Sequence, residues 1–178
     1  MSEKTQLILM ASYNRLMNQR LLQASACLTE ESLRQDKAAF FKSVFATFNH
    51  IMVGDILWLK RFALHPSYCA SLKPLMSMKK PERLDQILYR SLPAFKKQRE
   101  KLDTLIIDWC HEIDEQHLDC ALSYVDVKGN VHNKRLGDLI LHVFLHQVHH
   151  RGQVTTLLSQ EAVDFGETDL PEIVPEMA

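Results

Sequence analysis

Four histidines fall within nine consecutive residues, at positions 142, 146, 149 and 150, and they constrain the fold more than any other feature of the chain. The apolar residues around them recur at helical spacing: Leu136, Ile140, Val143 and Phe144, Val148, then Leu157 and Leu158. On such a helix His146 and His150 project from one face, a turn apart. Two neutral imidazoles so placed can bind one divalent metal but cannot close a site. A third ligand must come from another element, so the pattern asks for a second helix lying opposite.

The 178 residues suit a single domain spanning the whole chain, long enough to bury a sizeable core. A net charge of -1, with acidic and basic residues interleaved, gives no electrostatic footprint for nucleic acid or an anionic membrane. No apolar run approaches the roughly 18 residues of a membrane span. Cys27, Cys69, Cys110 and Cys120 are scattered without a C-x-x-C pair. With no signal peptide in evidence, they read as reduced thiols in the cytoplasm.

Periodicity predicts four long helices, at about 5–28, 39–64, 81–109 and 136–160, and a hairpin over about 118–134. Thr5 is the expected N-cap of the first, whose stripe is Met10, Tyr13, Met17, Leu21, Ala24 and Leu28. A polar break, Thr29 to Asp36, follows it. The second helix is apolar on most sides, as a central bundle helix is, and ends at His65-Pro66. A loop is expected over 66–80, then a third helix opened by Pro81 and kinked near Pro93. Leu118, Cys120, Leu122 and Tyr124 alternate with less apolar residues, and Lys128-Gly129-Asn130 supplies a turn. A tail with Gly166, Pro171 and Pro175 occupies 164–178. The expected fold is all-α, a four-helix bundle with a short β-hairpin before its last long helix.

His50 is the natural candidate for the third ligand, since it sits mid-helix with the small residues Ala46 and Gly54 on its face. The competing reading is a lone core histidine bonded to a neighbouring helix. His142, one turn before His146, competes as a ligand, whereas His149 lies about 100° round from His150. The H-x-x-x-H spacing of His146 and His150 resembles a zincin, but Gln147 stands where the general-base glutamate would be, and an amide cannot accept a proton from water. Glu-x-x-His pairs of the di-iron kind are missing, as is a glycine-rich phosphate loop. The run Lys96-Lys97-Gln98-Arg99-Glu100-Lys101 reads as a solvated helix face, and Asp114 and His117 as surface neighbours.

Several segments together resemble the DinB/YfiT-like family. They are Tyr13-Asn14-x-x-Met17-Asn18, Asn49-His50-x4-Asp55-x-x-Trp58-x-x-Arg61, His142-x3-His146-x-x-His149-His150-Arg151-Gly152-Gln153, and Thr168-Asp169-Leu170-Pro171. The resemblance implies a four-helix bundle, commonly a homodimer, with one divalent metal on His50, His146 and His150. Asp55, Arg151 and Gln153 become candidates for supporting those ligands. Imidazole-only ligation suits zinc or nickel, with iron or copper as alternatives. Some members of the family transfer low-molecular-weight thiols to electrophiles, so the implied activity is thiol or water activation at an open three-histidine site. The alternative is a non-catalytic, stress-induced metal-binding module.

Overall fold

The computed structural model describes residues 2–65 and 69–176. Residues 66–68, from the loop expected after the second helix, and 177 and 178 of the tail lie outside them. Among the described residues there are six α-helices: α1 (Glu3–Ser25), α2 (Glu30–Arg34), α3 (Val44–Phe62), α4 (Lys73–Ser77), α5 (Leu92–Glu112) and α6 (Leu136–Gln160). A two-stranded antiparallel hairpin, β1 (Ala121–Val125) and β2 (Val131–Arg135), precedes α6. The four long helices form the bundle: α1 packs on α5 and α6, and α3 packs on α6 and closes against α5.

Side-chain caps fix where the first three long helices begin. Ser2, not Thr5, opens α1, its hydroxyl accepting from the Thr5 amide at 3.3 Å. The second long helix begins at Val44 rather than near residue 39, because the Ser43 hydroxyl accepts from the Ala46 amide at 3.1 Å. The third was expected from Pro81 with a kink at Pro93. It begins instead at Leu92, capped by Ser91, with Pro93 in the first turn, where its missing N–H costs nothing. Residues between Met78 and Ser91 therefore run as a non-helical strap. The polar break contains α2, and the expected 66–80 loop contains α4, so short helices appear where periodicity has too few residues to register.

Phe95 on α5 meets Phe45 and Phe48 of α3, each at 5.9 Å between ring centres, and Phe62 stacks on Trp109 at 5.1 Å. Fourteen of the nineteen residues of α3 are buried, which makes it the central helix. Arg99 corrects the solvated-face reading of residues 96–101: it is 2% exposed, on the same side of α5 as Phe95 and Leu102, whereas Lys96, Lys97 and Lys101 face solvent. Its guanidinium is paired with Asp55 of α3 and with Asp103 one turn on. No described helix is long and apolar enough to cross a membrane.

Candidate metal centre

The histidine pattern becomes a site where α3 faces α6. His50 Nε2 lies 3.1 Å from His146 Nε2 and 3.1 Å from His150 Nε2. Two imidazole nitrogens sharing one zinc ion at about 2.1 Å lie roughly 3.4 Å apart, so the spacing is that of a common cation. Among the described residues, no fourth histidine, cysteine or carboxylate joins this group, which could hold a metal ion.

The ring partners determine which nitrogens carry protons. His50 Nδ1 is 2.8 Å from the Leu84 carbonyl oxygen, which can only accept, so Nδ1 bears the hydrogen. His150 Nδ1 is bonded in the same way to the Gln153 side-chain oxygen at 2.8 Å. Both rings are thereby left with a bare Nε2, and the two lone pairs face each other with no proton to share. A cation between them turns that repulsion into coordination. Burial lowers the basicity of all three imidazoles, bringing His146 down to about 3, with the neighbouring rings adding to the effect there. Neutral imidazole is the form that ligates.

Local structure holds each ring. Asn49, fully buried, accepts from the amides of Leu88 and Tyr89 at 2.8 and 3.1 Å, which pins the 78–91 strap so that the Leu84 carbonyl meets His50. The ring of His146 rests on Gly54, where an added Cβ would come within 2.8 Å of its Cε1. Phe41 stacks on His50 at 3.7 Å and 18°. Sequence reasoning missed Leu84 and Phe41, which reach the site from outside both metal-bearing helices. Asn49 lay in the family motif without a role attached to it.

The other candidates lie elsewhere. His142 is exposed, its ring 5.2 Å from Trp58 and 6.0 Å from His146, and it is not one of the three. His149 is exposed too and meets Gln153 at 3.3 Å. Of the three supporting candidates, Gln153 touches an imidazole. Asp55 and Arg151 sit on the far sides of α3 and α6 in a buried polar network, because their positions on the helical wheel point away from the histidine seam. Gln147 is the hub of that network: it donates to Asp55 at 3.0 Å and accepts from Asn18 at 3.1 Å and Arg151 at 3.0 Å. Burial raises the Asp55 and Asp103 carboxyls, Asp55 to about 6, while the pair of them holds Arg99 charged against its own burial. Asp114 and His117 are surface neighbours 4.0 Å apart.

No curated protein and no solved structure matches the sequence. A protein-family model does, over residues 1–173, and with the bundle, the hairpin before its last helix and the three clustered histidines it gives one conclusion: the chain belongs to the DinB family.

Proposed function

We propose that the protein is a metal-dependent transferase that adds a low-molecular-weight thiol to an electrophile, with His50, His146 and His150 holding one divalent cation, zinc or nickel before iron or copper. The observation that carries this reading is the pair of hydrogen bonds, from Nδ1 of His50 and of His150, that leaves bare Nε2 atoms 3.1 Å apart. When bound, such a cation supplies Lewis acidity that lowers the pKa of a thiol or water beside it.

The chain's own contribution is to orient and to exclude. Leu84 and Gln153 hold two rings in the ligating tautomer, and their loss would free those rings to turn. Burial keeps the imidazoles neutral near pH 7, so protons compete weakly for the site. No carboxylate stands with the histidines among the described residues. A thiol, with a free pKa of about 8.5 against about 15.7 for water, needs far less help to lose its proton, so the missing base favours thiol over water as nucleophile. The same lack of a base favours, as second reading, a metal-binding module without catalysis.

Thiol-dependent consumption of monobromobimane by metal-loaded protein, abolished by chelation and restored by zinc or nickel, is the expected result. One bound metal per chain with no turnover for any thiol would leave the binding module. A second copy of this chain is the proposed partner, supported by exposed Leu141, Leu145 and Val148 along one face of α6. Light scattering should give a dimer, and Leu145→Glu a monomer.

A further inference from the structure

A cavity of about 690 Å³ lies across Phe41 and Leu84 from the metal centre. It is within the range of small-molecule pockets. Its walls include Phe40, Phe41, Phe45, Ala46, Leu84 and Ile87. Two of these walls also belong to the metal centre. The Phe41 ring lies on His50 and meets His150 edge-on at 5.5 Å, and the Leu84 carbonyl accepts from His50. Cavity and imidazoles are therefore separated by one aromatic ring.

The loop that builds this partition is held in an unfavourable backbone conformation. Ala38 (φ 55) and Lys42 (φ 68) are both left-handed without being glycine, and the loop is closed by Lys37 N to Lys42 O and Lys42 N to Ala39 O, each 2.7 Å. Such strain persists where surrounding structure imposes it, and it clusters at ligand sites. The loop leaves Phe40 85% exposed, packed edge-on against Phe41 at 4.8 Å. A large ring kept out of the core at the mouth of an apolar cavity is positioned to cover a ligand. Of the charged residues lining the cavity, Arg34 is paired with Glu30 and Asp85 with Arg83, while Lys42 is exposed.

We propose that this cavity is the acceptor subsite and takes a flat, uncharged aromatic electrophile between Phe40 and Ile87, above a floor made by Phe45 and the Arg34 guanidinium that lies over its ring at 4.7 Å. The inference rests on the transferase reading above. In the transfer, the thiol sulfur forms a bond to the electrophilic carbon. The bond from that carbon to its leaving group breaks, the leaving group departs with the electron pair, and the thiol proton passes to solvent.

The test uses the uncharged fluorophore N-phenylnaphthylamine, titrated into the full chain with and without zinc. One equivalent should bind in both states. Ala46→Trp fills the cavity and should weaken binding by about tenfold or more, with one metal still bound per chain. Phe40→Ala removes an exposed ring the fold does not need, and should weaken the probe several-fold. In turnover, Ala46→Trp should raise the KM for monobromobimane relative to that for the much smaller iodoacetamide by about tenfold. Unchanged probe affinity in both variants, or an equal effect on the two electrophiles, would overturn the subsite. If the wild type turns over nothing, the transferase reading fails by itself, and the probe titration still decides whether the cavity takes an aromatic ligand.

Discussion

Two polar clusters share α3 and α6, the first reaching on to α1 and α5, and they solve burial differently. Beneath the seam, Asp55 and Asp103 carry two negative charges and Arg99 and Arg151 two positive ones, bridged by Gln147 and Asn18. That cluster is neutral and supplies its own counter-charges. On the seam itself, His50, His146 and His150 bring three nitrogens together and no cation of their own. The first cluster is therefore balanced in charge within the folded protein, although Asp55 Oδ1, Arg99 Nε and Arg151 Nη2 find no hydrogen-bond partner there. The second has three converging nitrogens and a demand for positive charge that a divalent ion answers. A buried charge network balanced internally is costly to break at one partner, and buried lone pairs aimed at one another mark a binding site.

The sharpest way to break this contrast is to remove a charge from the first cluster. Arg99→Met leaves two buried carboxylates without their shared partner and should cost about 3–5 kcal/mol of stability in urea unfolding. A variant as stable as wild type would show that the network is not what holds α3 to α5. His150→Ala is the converse. Elemental analysis should fall from one metal per chain to nearly none, with the helical circular dichroism unchanged. Zinc at a thousandfold excess over Kd should stabilise the wild type by about 4 kcal/mol and raise its melting temperature, but leave that of this variant unchanged. A variant that keeps its metal, or unfolds, would erase the distinction between the two clusters.

Gly54→Ala sharpens the comparison from between them. The new Cβ would stand 2.8 Å from the His146 ring, so either the ring turns or α3 and α6 separate. Overpacking of this kind costs roughly 1–3 kcal/mol. The expected signature is weaker metal binding with a smaller loss of thermal stability, read by competition with a chromophoric chelator. The smallest effect is expected for His142→Ala, whose ring rests against Trp58 outside the trio. Metal occupancy should stay within error of wild type, and a large loss would enlarge the site by one ligand.

The same two regions show what could be read from residues. His146 and His150 had to share a face, because four residues span about one turn of any helix. His50 could be proposed as their partner because it lies mid-helix with small neighbours. Arg99 reads in the sequence as part of a solvated basic run, since the lysines around it outweigh its apolar i−4 and i+3 neighbours, Phe95 and Leu102. Gln147 stands out in the sequence only for the carboxylate it replaces, although in the fold it ties α1, α3 and α6 together. The third helix starts eleven residues after Pro81, because Pro93, expected as a kink, sits in the first turn behind the Ser91 cap, and only the structure selects that start.

By itself the sequence determined the elements: a helix with paired histidines, a central apolar helix carrying a third, and a hairpin between the bundle's later helices. These follow from periods of 3.6 and 2, which are local properties of the chain. Only the tertiary structure decided which polar residues were balanced and which were left wanting. Charge compensation and tautomer choice depend on atoms distant in sequence. The Leu84 carbonyl reaches His50 across thirty-four positions, and Arg99 reaches Asp55 across forty-four. No spacing rule carries that information, because it arises only when separate helices are pressed into one core.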